Sequence, residues 1–244
     1  MEISTDTIEG AFHRVTHLIL REGDEIEIPD YGLTLEYPEP IVLRVHHPNY
    51  RNHVSDAYPH SKDYLDAYAH QLTHLSPDSG FAYTYGNRLG DYPEVVYNED
   101  KIGNTEYCGN GDGTGINQID FIANTLSVDL TSRRAIAITR FPEIDCYSKN
   151  PPCLTMVQCK IRDNKLHMTC YFRSNDMFAA WYANAWGLTT LMETIITEIE
   201  LCNPELEGKI KMGTLTTISE CPHIYIERDK SDIDRFRSVV YYAV

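Results

Sequence analysis

The chain of 244 residues is short of positive charge: 21 lysines and arginines stand against 36 aspartates and glutamates, a formal net charge of -15. That deficit removes the long-range attraction on which non-specific binding to nucleic acid or anionic lipid rests, so an anionic ligand has to meet a local basic cluster. Paired cysteine motifs are missing too. The seven cysteines, Cys108, Cys146, Cys153, Cys159, Cys170, Cys202 and Cys221, are odd in number and none has CxxC spacing. This speaks against a disulfide framework or a zinc ribbon and for a reducing compartment, the cytoplasm. No basic stretch followed by an apolar run opens the chain, and no apolar run approaches membrane-spanning length. Internal repeats, low-complexity linkers and the GxxxxGK[ST] phosphate loop are also lacking. What these absences leave is an expectation of one domain over residues 1–244, long enough to bury a core without staples.

Periodicity supplies the elements. In residues 5–20, Ile8, Ala11, Phe12, Val15, Leu18 and Ile19 recur at helical spacing, and residues 61–75 do the same with Tyr64, Leu65, Tyr68, Ala69, Leu72 and Leu75. Short runs at 25–28, 33–37 and 41–45, separated by proline-containing turns, read as three strands of one sheet. The histidine-rich stretch 46–60 has no ligand spacing and reads as a surface loop. Residues 81–89 are aromatic and turn-like. The glycine-rich stretch 108–115 offers backbone amides that could cradle a phosphate, or a partial calcium loop around Asp112, but matches neither pattern in full and reads as an exposed insertion. A helix over 116–126 and a strand over 135–139 follow. Residues 155–162 and 165–172 are strands joined by Asp163-Asn164, a tight-hairpin connection. The run 176–201 is apolar on most faces, the mark of a helix buried at the centre of a domain.

Several polar residues interrupt this frame. Cys153 follows two prolines at the start of a strand; taken alone it is a small buried hydrophobe, but a positive neighbour such as Arg173 on the companion strand would favour its thiolate. Arg133 and Arg134 are either a solvated pair or, in a turn, two donors to one anion. Asn184 lies inside an apolar helix, where an unpaired amide is costly; an amide offers both a donor and an acceptor, enough to read the edge of a pyrimidine. His223 and Tyr225 share one face of a strand, where core packing and contact with sugar hydroxyls are equally consistent with the spacing.

Taken together and in order, these residues resemble the thymidylate synthase superfamily, specifically its short archaeal-type members. The motifs are Ser132-Arg133-Arg134, Pro151-Pro152-Cys153 with Gln158, Arg162-Asp163-Asn164-Lys165-Leu166, Arg173-Ser174-Asn175-Asp176 with Asn184, and His223-Ile224-Tyr225. Tyr85-Gly86 resembles the family's YG motif and Asn117-Gln118-Ile119 its DQI helix. The likeness covers roughly residues 60 to 228, and an ordered set of motifs is far more specific than any one of them.

The resemblance implies an α+β fold: a mixed β-sheet with a long buried central helix, forming a homodimer through the sheet. It implies that Cys153 attacks C6 of dUMP, and that the product is dTMP. Arg173 and Ser174, with Arg133 and Arg134 of the partner subunit, would hold the phosphate; Asn184 would pair with the pyrimidine, Asp176 with the base and the pterin, and His223 and Tyr225 with the sugar hydroxyl. Tyr85 would help remove the C5 proton through ordered water. The donor would be 5,10-methylenetetrahydrofolate or methylenetetrahydromethanopterin, with no metal and no flavin. Leu154 stands where larger members carry histidine, and Phe172 where they carry glutamine. The family's water-activating glutamate has no clear match, and neither Asp63 nor Asp66, which lie in the helix over 61–75, is assigned its role; its N-terminal phosphate arginine is unplaced between Arg21 and Arg51, and Ala243-Val244 resembles the family's terminus. A pyrimidine nucleotide (dUMP or dCMP) 5-hydroxymethylase is the alternative, with Asn184 favouring uracil; a regulator without catalysis and a Cys153–His223 hydrolase rank behind it.

Overall fold

The computed structural model describes residues 1–77, 80, 83–96, 106–109 and 111–238. In chain order its elements are β1 (Glu2–Thr5), α1 (Ile8–Glu22), β2 (Asp24–Ile28), β3 (Gly32–Glu36), β4 (Ile41–Val45), α2 (Lys62–Thr73) and α3 (Tyr85–Gly90). There follow β5 (Glu94–Val96), β6 (Glu106–Cys108), α4 (Gln118–Val128), β7 (Ile136–Ile138), α5 (Pro142–Asp145), β8 (Leu154–Arg162), β9 (Lys165–Phe172) and β10 (Asn175–Asp176). The last are α6 (Trp181–Cys202), β11 (Lys211–Ser219), β12 (Pro222–Tyr225) and α7 (Lys230–Ser238).

The fold is mixed α+β. Six strands in the order β1-β4-β11-β9-β8-β7 form one sheet and β10-β12-β3-β2 a second. Alternation along β9 and β11 turns Met168, Cys170, Leu215 and Thr217 inward, and α6 lies over that face, its Trp181 indole donating to Thr217 Oγ1 at 2.9 Å. Every residue of α6 from Trp181 to Thr189 is buried, as its apolar composition predicts. At the β8–β9 turn Asp163 and Asn164 have φ of 51° and 56°, the left-handed pair that a two-residue hairpin loop requires.

Local expectations hold where side chains cap or alternate, and fail where distant partners decide. Thr7 accepts from Gly10 N–H and starts α1, so Thr5 belongs instead to β1, which pairs in parallel with β4. The three early strands do not share one sheet: β2 and β3 join β12, whereas β4 joins β11. Within residues 81–89, Thr84 caps the helix α3, while Phe81 and Ala82 lie outside the described residues. Asp176 likewise precedes α6, accepting from Phe178 and Ala179 N–H at 3.1 and 3.0 Å.

The glycine-rich stretch is exposed from Asp112 to Thr114, as expected of an insertion. Its amides do point inward at an anion, but the anion is the chain's own: Gly111 and Gly113 N–H donate to Asp91 Oδ2 at 2.6 and 2.8 Å, and Gly115 N–H to Oδ1 at 2.5 Å. Asp91 is buried, and positive φ at Gly111 (118°) and Gly113 (80°) lets the loop wrap it. Asn110 lies outside the described residues.

Candidate active site

The β8–β9 hairpin brings the two polar residues at its open end together. Leu154 pairs with Phe172, so Cys153 and Arg173 are the next residues outward, and Arg173 N–H donates to Cys153 C=O at 2.9 Å. The guanidinium folds back over the two prolines, donating from Nε to Pro152 C=O (3.0 Å) and from Nη2 to Pro151 C=O (2.7 Å). Nη2 thereby stands 3.6 Å from Cys153 Sγ. Prolines suit this position because their carbonyls accept while their ring nitrogens ask for no partner.

The predicted cation is therefore in place, yet it does not win. Burial pushes the Cys153 thiol above its ordinary range, Asp176 adds to the rise, and Arg173 only opposes it. Burial thus favours the protonated thiol, with a cation that would stabilise the thiolate beside it.

Tyrosines surround this end of the hairpin. Tyr85 Oη accepts from Leu154 N–H at 3.1 Å, fixing the phenol beside the thiol. A cavity of about 500 Å³ is lined by Tyr64, Tyr68, Gln71, Tyr83, Tyr85 and Asn150 among others. Burial pushes Tyr83 up to about 12 and Tyr85 well above the usual tyrosine range, with Cys153 contributing to both. These phenols stay neutral at working pH and act as hydrogen-bond donors and acceptors, not bases.

Asn184 lies behind the tyrosines, 6% exposed, with Tyr68 Oη donating to its Oδ1 at 2.5 Å and its Nδ2 donating to Asn175 Oδ1 at 3.4 Å. Asp176 is held on its other oxygen by Arg228 Nη2 at 2.5 Å. Arg228 also lies 4.4 Å above the Tyr225 ring, on which Tyr31 stacks with 4.5 Å between centroids. His223 Nδ1 pairs with Cys221 C=O at 3.0 Å, so Nδ1 carries the proton, and its ring meets Tyr225 edge-on at 4.7 Å. Ser174 is half-buried next to Arg173.

Other sequence candidates lie elsewhere. Arg133 and Arg134 are exposed where the chain enters the edge strand β7; because Ile136 pairs with Gln158, they lie about 20 Å along β8 from Cys153 of the same chain. Arg51 is engaged by α6, bonding Glu193 at 2.8 Å and Trp186 C=O at 3.0 Å, and Arg21 pairs with its exposed neighbour Glu22. Asp63 and Asp66 are exposed on α2, Asp66 bonding Lys62 and the Trp186 indole. Ala243 and Val244 lie outside the described residues. Sequence reasoning placed Tyr68 on a core-facing stripe and gave Arg228 no role at all. Tyr83 sat in an aromatic stretch whose chemistry had no local signal.

Known proteins resemble the chain in sequence and in fold. The family model described as Thymidylate synthase matches residues 50–234. Proteins carrying the name "Putative thymidylate synthase" are similar along nearly the whole chain: one from Methanocaldococcus jannaschii is 32% identical over 96% of this chain and 95% of its own, and one from Methanosarcina barkeri 30% identical over 91% and 88%. The solved structure of thermostable thymidylate synthase A from Bacillus subtilis superposes with a TM-score of 0.66 at 15% identity, covering 97% of this chain and 86% of that one. At that identity the likeness speaks to the fold.

Proposed function

This chain belongs to the thymidylate synthase family of one-carbon transferases, and on that premise we propose that it methylates dUMP at C5 to give dTMP with a methylene-tetrahydropterin donor. The observation that carries the reading is the Cys153 thiol held 3.6 Å from the Arg173 guanidinium, on a strand end whose next amide is bound by Tyr85.

C5 of uracil is not nucleophilic until something adds to C6. Attack by Cys153 Sγ pushes the ring's electron pair towards O4 and leaves an enolate, nucleophilic at C5. The thiol must first lose its proton, and Arg173 stabilises the thiolate as it forms. Arg173 and Ser174 also bind the phosphate, so substrate binding and activation of the nucleophile share one cation. Asn184 donates to the developing negative charge on O4, and His223 and Tyr225 hold the sugar hydroxyl. Tyr85, neutral because it is buried, would orient by hydrogen bonding the ordered water that takes the C5 proton.

The cavity's chemistry fits a pterin: its volume and its tyrosine walls suit a flat heteroaromatic ring. When bound, that cofactor supplies the one-carbon unit and the reducing hydride.

A second copy of the chain completes the site in this reading. The outer face of the six-stranded sheet, opposite α6, exposes Ile136 and Ile138 and leaves Met156, Tyr171 and Ile218 half-buried. Packing two such faces together would bring Arg133 and Arg134 of one protomer to the phosphate of the other, which the separation of about 20 Å forbids within a chain.

The test is product analysis after mixing the protein with dUMP and each methylene-tetrahydropterin. The expected result is dTMP by mass, with an absorbance rise from the dihydropterin formed and none for Cys153→Ala. A 5-hydroxymethyl product without that rise identifies a hydroxymethylase. For the shared site, inactive Arg134→Ala and Cys153→Ala proteins regain activity on mixing; persistent inactivity of a mixture shown to exchange subunits rejects the partner role.

A further inference from the structure

We propose that the groove between β1 and α1 is a second ligand site, which takes a small molecule carrying an oligophosphate group. None of its lining residues lines the cavity beside Cys153, so it stands whatever reaction that cavity serves.

The cavity in this groove measures about 510 Å³, a size that suits a ligand such as a nucleotide. In a chain of net charge -15 its helical wall gathers His13, Arg14, His17 and Arg21, against a single carboxylate, Glu2, on β1. Arg14, His17 and Arg21 are three and four residues apart and all exposed, so they fall in one stripe along α1. At about 1.5 Å of rise per residue the stripe runs about 10 Å, long enough to face several linked phosphates and too long for one small anion to span. Ile3 and Leu18 add an apolar part to the lining.

The donors of this stripe are held in place but lightly used. Arg14 donates from Nη1 to Ser4 C=O at 2.9 Å and, among the described residues, has no carboxylate partner. Arg21 pairs with its sequence neighbour Glu22 at 2.5 Å, and with side chains 70% and 42% exposed such a pair contributes little and gives way to a stronger anion. Glu2 is drawn to Arg44 at 3.3 Å, a cation outside the lining. The His17 ring rests on Phe236 of α7, 4.7 Å between centroids, and His13 stacks on the same ring at 5.2 Å. His13 Nε2 is bonded to Ser55 Oγ at 2.7 Å, which fixes it as part of the floor. Guanidiniums are donors in every protonation state available to a protein, and their planar fork matches phosphate oxygens.

Size separates this ligand from a larger polyanion. Nucleic acid would also meet the rest of a strongly acidic chain, whereas a compact ligand inside the groove meets the stripe at contact distance, with charges further than about 10 Å screened.

Calorimetric titration of inorganic triphosphate, and separately of ATP, both without divalent metal, tests the site in wild-type protein, Arg14→Gln, Arg21→Gln, Arg173→Gln and Lys209→Gln. Triphosphate is expected to bind the wild type saturably, and Arg14→Gln and Arg21→Gln should each weaken it about 10-fold, the worth of one charge-assisted hydrogen bond. Lys209→Gln makes the same change of charge at an exposed position outside the groove, and Arg173→Gln removes the cation beside Cys153. Binding within twofold of wild type in both supports the assignment. ATP binding as tightly as triphosphate means that the phosphates alone are read, and tighter ATP binding means that the nucleoside uses the apolar lining; either keeps the site. No saturable binding of either probe up to about 1 mM, a loss confined to Arg173→Gln, or a loss in Lys209→Gln as large as in Arg14→Gln overturns it.

Discussion

Replacing Asp145 by asparagine would leave Arg88 as a buried cation without its counter-ion. The two side chains are 2% and 1% exposed and meet at 2.8 Å, and among the described residues Arg88 Nε and Nη1 have no hydrogen-bond partner. The bond to Asp145 therefore carries most of the neutralisation, with the Tyr83 ring 5.8 Å from the guanidinium as a weak supplement. Breaking such a pair from one side costs about 3–5 kcal/mol, because the remaining charge has lost its water and gains nothing in return. Asparagine isolates the charge, since its Oδ1 can still accept from Phe141 N–H, which Asp145 now binds at 2.6 Å. Arg88→Met should cost a similar amount by stranding the carboxylate. The double variant carries neither charge and should be more stable than the sum of the single losses predicts, by about 2 kcal/mol or more. Urea unfolding of the four proteins at pH 7, with the slope held common, reads these values. If the single losses add up to the double within about 0.5 kcal/mol, the pair is not coupled and the reasoning fails. Activity should fall with Asp145→Asn as well, since Arg88 stands one turn along α3 from Tyr85.

Three further outcomes follow from the same structure. The pH at which Cys153 becomes half-reactive towards iodoacetamide should lie above that of an ordinary cysteine; Asp176→Asn should lower it and Arg173→Gln raise it, and a shift in the opposite sense for either would contradict the electrostatics described. His13, buried against the neighbouring His17, is held neutral to about pH 4, whereas the unfolded chain protonates near 6.5. Between those values the unfolded state binds more protons, so stability is present above 6.5 and is lost as the pH falls, by up to about 3 kcal/mol. Urea midpoints at pH 4.5 and 7 should differ less in His13→Gln than in wild type, and an unchanged difference refutes the assignment. Gly86→Ala would set a Cβ 2.3 Å from the Gln71 and His74 carbonyl oxygens, both backbone and unable to swing away. Thermal unfolding should show a loss of about 1–3 kcal/mol, with Tyr85 displaced and activity reduced.

Much of the fold and part of the site are set by patterns between residues close in sequence. The apolar stripe of α1, the Ser61 cap of α2, the Asp163-Asn164 turn and the all-round hydrophobicity of α6 each act locally, so each is legible in the order of residues. Cys153 and Arg173 belong to this group as well, because a tight hairpin of fixed register must bring its strand ends together. Which sheet takes β4, and that β1 exists at all, depends on partners up to nearly 180 residues away, as in the pairing of Ser219 with Ile41. The contacts that tune the site are equally remote: Tyr68 reaches Asn184 across 116 positions and Arg228 reaches Asp176 across 52. The glycine loop shows the limit most directly. Its sequence presents amides suited to an anion, but only packing decides that Asp91 already fills them. For the nucleophile the division is the same: the sequence by itself determined that a cation adjoins Cys153, and the tertiary structure decided that burial outweighs it, because desolvation sums over every atom that packs around the sulfur.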